Sequence, residues 1–489
     1  MKRAFWGGAL ILLCIIFVAT LLNQINATVS APELTQVDMP AEAEPSYRDE
    51  RIPEADEALS AGQLTIFNES VNAFGQPVPG LNRMDGLFFF VGNSFFNQNW
   101  VTAPSSTAAR DGLGPHFVAR SCSGCHLRDG RGRPPVVDGE KATGFLVQLS
   151  IPGVDALGAP LAEPSYGRQF QDSAIQNVAT EGRVQISYTE SEGSFADGER
   201  YTLRTPTVEL IDLAYGPLAE TVQLSPRVGS QIIGLGLLEA ISEETLLANA
   251  DPDDLDGDGI SGRPNYVWDL LAEEAAIGRF GWKANQPNLI QQVASAFSAD
   301  MGITTELFPL PDCTSVQAKC LAAPHGGDPE IDEDDLQKVV LYTSTLAVPA
   351  RRNWQDQEVL HGKQIFSDVG CASCHLPSIT TGEHPRFAEL SNQTIRPYTD
   401  LLLHDMGPGL ADDRPHFEAS GSEWRTPPLW GIGLIEPINK HTYFLHDGRA
   451  RSLLEAILWH GGEAESSKDA VLELDKAERN ALIKFLESL

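Results

Sequence analysis

Apolar residues recur at helical spacing in four stretches of the chain, and each stretch predicts an amphipathic helix. The predicted helices begin near residues 237, 332, 359 and 475. Asp332 and Asp475 have the positions of N-cap residues, and Pro349 ends the second helix. Residues 144–235 instead alternate polar and apolar positions between glycine and proline breaks, which predicts short strands or irregular loops. The pattern therefore predicts two helical units, the first of them with a strand-rich insertion.

A five-residue motif, Cys-x-x-Cys-His, occurs once in each unit. Residues at i, i+3 and i+4 of a helical turn share one face, so both thiols can bond one porphyrin while the imidazole reaches the iron. A thioredoxin-like thiol pair does not require the histidine, and a zinc site needs further ligands nearby. The motifs therefore predict two covalent c-type haems, bound by Cys122, Cys125 and His126 and by Cys371, Cys374 and His375.

The 489-residue chain is long enough for two or three domains. The predicted fold class is mainly α, with two cytochrome c-like haem domains in tandem, the first carrying inserted short strands and long loops. The predicted boundaries are a signal peptide or membrane anchor at 1–27, a linker or arm at 28–60, an N-terminal haem domain at 61–350 and a C-terminal haem domain at 351–489.

The first residues have the composition of an export signal. Two basic residues precede an apolar run at 8–22 and a small-residue cleavage site at 25–27. Because isoleucine is not ideal at the start of that site, an uncleaved membrane anchor is the alternative. Covalent haem on an exported chain predicts a bacterial periplasm. In that oxidising compartment, Cys313 and Cys320 are predicted to form a disulfide.

The chain is strongly acidic, with a formal net charge of −32. This charge argues against binding to nucleic acid or to anionic membrane surfaces, because both attract patches of lysine and arginine. It favours a basic partner, such as a small electron-carrier protein that is steered in by attraction. A solvated acidic surface with no such partner is the alternative.

The chemistry of each haem depends on the sixth position of its iron. No histidine lies between His126 and His325, and Met301 is far along the chain, so the first iron is predicted to be five-coordinate or weakly ligated. For the second iron, Met406 lies about one loop past the motif, where small cytochromes place a methionine, and His404 is the competing ligand. The sequence thus predicts one reactive haem and one high-potential relay haem.

An acidic loop lies between the two motifs. Asp254, Asp256 and Asp258 offer oxygens at alternate positions before Gly259, as at the start of a calcium loop. An EF-hand would continue to a glutamate at its last ligand position, where this chain has Asn265. A calcium loop of another type is the prediction, and an acidic surface turn is the alternative.

Several further stretches resemble the bacterial di-haem cytochrome c peroxidase superfamily, and most closely its di-haem oxidoreductase branch. They are residues 234–241, 256–263, 278–284, 399–410, 423–430 and 444–449. The resemblance implies that the C-terminal haem takes electrons from a small donor protein, a cytochrome c or a cupredoxin, and that the N-terminal haem reduces peroxide. In a relative that matures methylamine dehydrogenase, the same pair oxidises protein side chains. The superfamily also carries a calcium ion between its haems.

The resemblance also suggests a proton-transfer residue. Cleavage of an O–O bond needs a group that moves a proton from one oxygen to the other, and a distal glutamate does this in the superfamily. Glu239, in an otherwise apolar run, is the candidate here, and a helix-surface carboxylate is the alternative. Trp424 and Trp430 are candidates for a bridge between the haems, or are simply core residues, and His446 is expected to pack near a haem.

The leading hypothesis is a periplasmic di-haem c-type oxidoreductase that uses peroxide, with electrons entering at the C-terminal haem and reaction at the N-terminal haem. One alternative is a non-catalytic electron-transfer cytochrome with both irons six-coordinate. Another is an enzyme that uses peroxide to oxidise a protein substrate.

Overall fold

Short helices separated by long connections make up much of the chain. The computed structural model describes residues 50–107, 109–137, 139–141 and 144–489, so the predicted signal peptide and most of the predicted linker lie outside the described residues. Within them, no helix has the length and apolar character needed to cross a bilayer. The helices are α1 (Arg83–Asn97), α2 (Leu235–Glu239), α3 (Glu243–Ala248), α4 (Leu289–Met301), α5 (Ala318–Leu321), α6 (Glu333–Ser344), α7 (Gln357–Asp368), α8 (Ile435–Asn439), α9 (Leu453–Leu458), α10 (Glu465–Glu473) and α11 (Lys476–Ser488).

The strands form small antiparallel sheets rather than one large sheet. The strands are β1 (His116–Phe117), β2 (Phe145–Val154), β3 (Pro160–Leu161), β4 (Ser173–Ala174), β5 (Arg183–Ser194), β6 (Arg200–Ile211), β7 (Gln223–Val228), β8 (Tyr266–Asp269), β9 (Glu274–Ile277), β10 (Ile379–Thr380), β11 (Thr394–Ile395), β12 (Leu403–Asp405) and β13 (Glu423–Arg425). The sheets, in order of adjacent strands, are β3-β2-β7, β5-β6, β8-β9, β12-β13, β1-β4 and β10-β11.

The predicted helix starts have clear physical causes. The Asp332 side chain accepts the backbone N–H of Asp335 at the start of α6, and Asp475 forms a full capping box with Glu478 at the start of α11. The predicted helix near residue 237 is divided into α2 and α3, and the Ser242 side chain caps the second piece. Helices α7 and α11 pack closely at Gly362. A Cβ atom at this position would lie 1.9 Å from the carbonyl oxygen of Ala481, so the close approach depends on glycine.

The predicted fold class, mainly α with two cytochrome c-like domains in tandem, is wrong. Residues 145–228 contain β2 to β7, because their alternating pattern favours local hairpins and ribbons over helices, and β8 and β9 follow after α2 and α3. The largest hydrophobic core also combines side chains from both predicted units, including Leu237, Leu341, Trp430 and Ile435. Residues 49–489 form one contact unit, and the boundary near residue 350 stays a prediction.

The end of the predicted arm is anchored by buried ion pairs. Glu57, whose side chain is 1% exposed, pairs with Arg351 and Lys363. The ammonium nitrogen of Lys363 also lies 2.6 Å from a carboxylate oxygen of Glu50. Residues 50–57 are therefore part of the folded unit rather than a free linker.

The predicted disulfide is confirmed. Cys313 and Cys320 are bonded, with their Cα atoms 5.8 Å apart, and they close a short loop that includes α5. The other cysteines of the described ranges belong to the two Cys-x-x-Cys-His motifs and form no disulfide.

Candidate functional site

Both Cys-x-x-Cys-His motifs face one cavity of about 400 Å³. His126 lines one part of it, and all three functional residues of the second motif line another. A smaller cavity of about 80 Å³ shares His126 with the first and is also lined by Cys122 and Cys125. The fold thus brings together two motifs that are far apart in the sequence.

The two motif histidines are oriented in the same way. Nδ1 of His126 donates to the carbonyl of Ser230 at 2.6 Å, and Nδ1 of His375 donates to the carbonyl of Tyr398 at 2.9 Å. Burial lowers the pKa of both rings, that of His375 to about 4, so both are neutral at physiological pH. The carbonyl bond holds the proton on Nδ1 and leaves the Nε2 lone pair available to a metal.

Gly229 lies against the imidazole of His126. A Cβ atom at this position would lie 3.1 Å from Cε1 of His126 and 3.1 Å from the carbonyl oxygen of Cys125. Gly229→Val is therefore expected to displace the ring and to lower the free energy of unfolding by about 1–3 kcal/mol, as overpacking does. Denaturant unfolding and the iron–histidine stretching band in resonance Raman spectra of the reduced protein measure the two effects.

The control for this prediction is Gly86→Val, where an added Cβ meets no atom within 4 Å. It is expected to leave the stretching band in place and stability unreduced. Equal effects in the two variants would contradict a specific contact between Gly229 and His126.

Three buried arginines that line the cavity have no carboxylate within ion-pair distance among the described residues: Arg131, Arg279 and Arg425. They donate instead to the backbone carbonyls of Tyr443 and Leu445, of Ile241, and of Gly281 and Thr426, respectively. Burial lowers the pKa of all three guanidinium groups. A buried cation is costly unless an anion compensates it, and haem propionates supply such anions. The cavity therefore fits haem. Arg131 lies in a basic loop, residues 128–133, that follows the first motif.

Of the two residues predicted as distal ligands at the second motif, only Met406 is free to serve. His404 is held by Glu463 at Nδ1 and by Asp400 at Nε2, each at 2.8 Å. Burial alone would lower the pKa of His404, but hydrogen bonds to these carboxylates raise it to about 12. A protonated imidazole has no lone pair for iron. Met406, just past β12, lines the cavity.

A further histidine, which no sequence motif indicates, lines the same cavity. Nδ1 of His460 donates to the carbonyl of Ala456 at 2.8 Å, the arrangement that also orients His126 and His375. A Cβ atom at Gly461 would lie 3.2 Å from the carbonyl oxygen of Met406, so the segments of the two candidates are in contact. His460 follows α9 far from the second motif in sequence, and no local spacing marks it.

The structure also places beside the first motif a residue that is distant from it in the sequence. Met301, the last residue of α4, is buried and lines the smaller cavity beside Cys122 and Cys125, although it is far along the chain. The larger cavity includes His446 as well. Five-coordination of the first iron therefore stays a prediction.

Glu239 lies outside the residues that line either cavity. One of its carboxylate oxygens accepts the backbone N–H of Leu289 at 2.7 Å, at the start of α4. The other lies 3.2 Å from Nε2 of His384. In the structure the Glu239 carboxylate caps the start of α4. Its acid/base role stays a prediction.

Trp424 lines the cavity, whereas Trp430 is buried in the largest core. The Trp424 ring stacks on His446 with a centroid distance of 3.7 Å. Arg227 and Lys283 each place their charge 4.2 Å from the centre of the same ring. Burial and these cations lower the pKa of His446 well below its usual value, so the stacked imidazole is neutral.

The acidic loop brings together a set of carboxylates that overlaps the predicted one. Oxygens of Asp251, Asp254 and Asp256 lie within 4.8 Å of one another. Asp258, the third predicted residue, accepts the backbone N–H of Ile260 at 2.8 Å instead. Calcium binding by this loop stays a prediction.

A comparison with protein families covers almost all of the described chain. The model of a family described as "Di-haem oxidoreductase, putative peroxidase" matches residues 55–151 and 155–489. A search of curated proteins finds no match. The matched residues include both motifs, the cavity between them and the buried arginines. The branch indicated by the sequence motifs is thereby confirmed, and the chain belongs to the di-haem oxidoreductase family.

Proposed function

We propose that the protein is a periplasmic c-type di-haem peroxidase. In this proposal, thioether bonds to the motif cysteines hold both haems, a small donor protein delivers electrons at the second motif, and peroxide is reduced at the first. The observation that carries the proposal is the single cavity lined by both His126 and His375, because electrons pass efficiently only between groups held close together. Bound haem iron supplies the redox chemistry, and the residues around it supply orientation, charge and protons.

Two measurements on the purified, haem-loaded protein test the proposal. Hydrogen peroxide is expected to oxidise a reduced small cytochrome in steady state, and the resting oxidised protein is expected to give one high-spin ferric EPR signal. Two low-spin signals without turnover would instead support a non-catalytic electron-transfer cytochrome. Peroxide consumption that requires a partner protein, and leaves that partner modified, would support oxidation of a protein substrate.

The sixth position of the second iron has two candidate ligands, Met406 and His460. The loop position of Met406 favours the thioether, and the oriented Nδ1 of His460 favours the imidazole. Alanine substitution of the true ligand is expected to convert the second haem from low to high spin, whereas the other substitution leaves it low-spin. A methionine ligand also gives a higher reduction potential than a second histidine. EPR spectra and a redox titration of each variant decide between them.

Trp424 is our candidate for carrying electrons between the motifs. It lines the shared cavity and stacks on the neutral ring of His446. The cations Arg227 and Lys283 over the ring make removal of an electron from it harder, since a positive charge opposes a second one. We therefore assign Trp424 a bridging role in which the ring itself is not stably oxidised.

The acidic chain is expected to recognise a basic electron donor, such as a small cytochrome c or a cupredoxin. Raising the ionic strength from about 0.01 M to about 1 M shortens the screening length from about 30 Å to about 3 Å. The second-order rate of reduction by a basic cytochrome c is expected to fall by about tenfold or more over this range. Stopped-flow absorption measures the rate, and an uncharged reductant is the control. A rate that does not depend on salt would contradict electrostatic steering.

A further inference from the structure

Two carboxylates line the cavity within the described residues, and they lie at different motifs. Glu463 is beside the second motif, where it binds His404 and accepts the backbone N–H and hydroxyl of Ser261. Asp300 is beside the first motif, because it also lines the smaller cavity together with Cys122 and Cys125. Asp300 is therefore the acidic side chain placed to act at the first haem.

The backbone holds Asp300 firmly in this position. Gln292, Ala296 and Asp300 are spaced four residues apart on one face of α4, and all three line both cavities. The carbonyl oxygen of Asp300 accepts the backbone N–H groups of Val118 at 2.8 Å and Ala119 at 3.1 Å. These bonds tie the end of α4 to the segment that leads into the first motif.

The carboxylate itself has few partners. Its Oδ1 accepts the side-chain amide of Gln169 at 2.9 Å, and no other donor within the described ranges bonds to it. Burial raises the pKa of Asp300 to about 6, and the Gln169 hydrogen bond opposes this rise. An acid/base catalyst works best when its pKa lies near the operating pH. Glu239, by contrast, has both oxygens engaged by Leu289 and His384.

We propose that Asp300 is the acid/base residue for cleavage of the peroxide O–O bond at the first haem, a role that rests on the proposed peroxidase function. Asp300 takes a proton from one peroxide oxygen and returns it to the other, which leaves as water when the O–O bond breaks. Two reduced donor proteins supply two electrons, and two protons from solvent complete the second water. One hydrogen peroxide, two electrons and two protons thus give two waters, and the carboxylate ends as it began.

The test uses Asp300→Asn in the full-length, haem-loaded protein. Turnover with peroxide is expected to fall by about 10²- to 10⁴-fold, the range for loss of a general acid/base, while the spectrum of the second haem is unchanged. A redox titration gives a readout that does not depend on turnover. In the unaltered protein the reduction potential of the first haem is expected to fall as the pH rises through about 6, because the ionised carboxylate stabilises ferric iron.

In Asp300→Asn the part of this pH dependence that comes from Asp300 is expected to be lost, so the change in potential through pH 6 becomes smaller. The thiols of Cys122 and Cys125 interact with the charge of Asp300, and they carry no proton once bonded to haem. Two other titratable groups lie near the first motif. Asp129 also interacts with Cys122, and burial raises the pKa of its carboxyl to about 6, while His126 lines both cavities with Asp300. Gln169→Leu keeps the carboxylate but removes the donor that stabilises its ionised form, so the transition is expected to move to higher pH.

The outcomes separate this role from the proposed function. If the unaltered protein does not turn over peroxide, the proposed function and the role of Asp300 both fail. If turnover is present and Asp300→Asn leaves both it and the pH dependence of the potential unchanged, the role of Asp300 alone is overturned.

Discussion

Replacing Glu57 with alanine is expected to lower the free energy of unfolding by about 3–5 kcal/mol, because it removes the anion between two buried cations. The Glu57 side chain is 1% exposed, and those of Arg351 and Lys363 are 2% and 6% exposed. The ammonium nitrogen of Lys363 lies 2.9 Å from the Glu57 carboxylate. Denaturant unfolding followed by far-UV circular dichroism measures the loss.

The matched control is Glu358→Ala. Glu358 pairs with Lys484 on the surface, where their side chains are 64% and 50% exposed. Removing this pair is expected to cost at most about 1 kcal/mol, as for other exposed ion pairs. Similar losses in the two variants would show that burial adds nothing to the pairing of Glu57.

The effect of Glu57 also depends on pH. Burial alone would raise its pKa, but Arg351 and Lys363 together hold the pKa below its usual value of 4.5. As the pH falls, Glu57 therefore becomes protonated at a higher pH in the unfolded chain than in the folded chain. The stabilisation is fully present above pH 4.5 and is lost as the pH falls through the folded pKa. The difference in unfolding free energy between the wild-type protein and Glu57→Ala is expected to shrink as the pH falls.

Replacing Asp412 with asparagine is expected to cost about 3–5 kcal/mol of unfolding free energy, again because buried cations lose their anion. Carboxylate oxygens of Asp412 lie 3.0 Å from Arg227 and 3.3 Å from Lys283, and all three side chains are almost fully buried. Both cations contact the ring of Trp424, so the same change loosens the wall of the cavity. Chemical denaturation of the haem-loaded variant measures the cost.

The control at the next position is Asp413→Asn, because Asp413 is exposed and has no ion pair within the described part of the chain. It is expected to change stability by less than about 0.5 kcal/mol. A cost in Asp413→Asn that matches the cost in Asp412→Asn would contradict the role of the buried pairs.

The cost of Asp412→Asn is expected to decrease in alkaline solution. Burial lowers the pKa of Lys283 to about 8, although Asp412 opposes this shift. Without Asp412 the folded pKa falls further, so the variant releases this proton at a lower pH than the wild-type protein. As the pH rises from the folded pKa of Lys283 in the variant to that in the wild-type protein, the difference in unfolding free energy between the two proteins decreases. Above pH 8 this difference stays at its smaller value. Unfolding curves at pH 7 and pH 9 test the sign.

Features with a local cause could be predicted from the sequence. The helical turn at each Cys-x-x-Cys-His motif depends on residues within that turn, and the caps at Asp332 and Asp475 depend on residues within one helix start. The disulfide closes a loop short enough that spacing and compartment indicated it. Arg131 lies in a loop with several arginines directly after the first motif, and no local spacing tells which arginine of that loop faces the cavity.

Features that depend on tertiary contacts could not be predicted in this way. Asp300 and Met301 reach the first motif because α4 packs against the segment before it, and no spacing in the sequence reports that packing. His460 reaches the second motif for a similar reason. The predicted fold class is wrong because the alternating residues 144–235 form long ribbons that contact the rest of the chain, rather than an insertion in a helical domain.

The largest core takes side chains from both sides of residue 350, and the β5-β6 ribbon bonds to the C-terminal helices through Arg479 and the backbone of Ala196. A fragment that begins after residue 350 would thus expose apolar side chains that the preceding part of the chain covers in the intact fold. We expect it to aggregate when it is expressed alone. Gene fusions or truncations that aim to isolate one redox centre should therefore keep the polypeptide from residue 50 onwards whole.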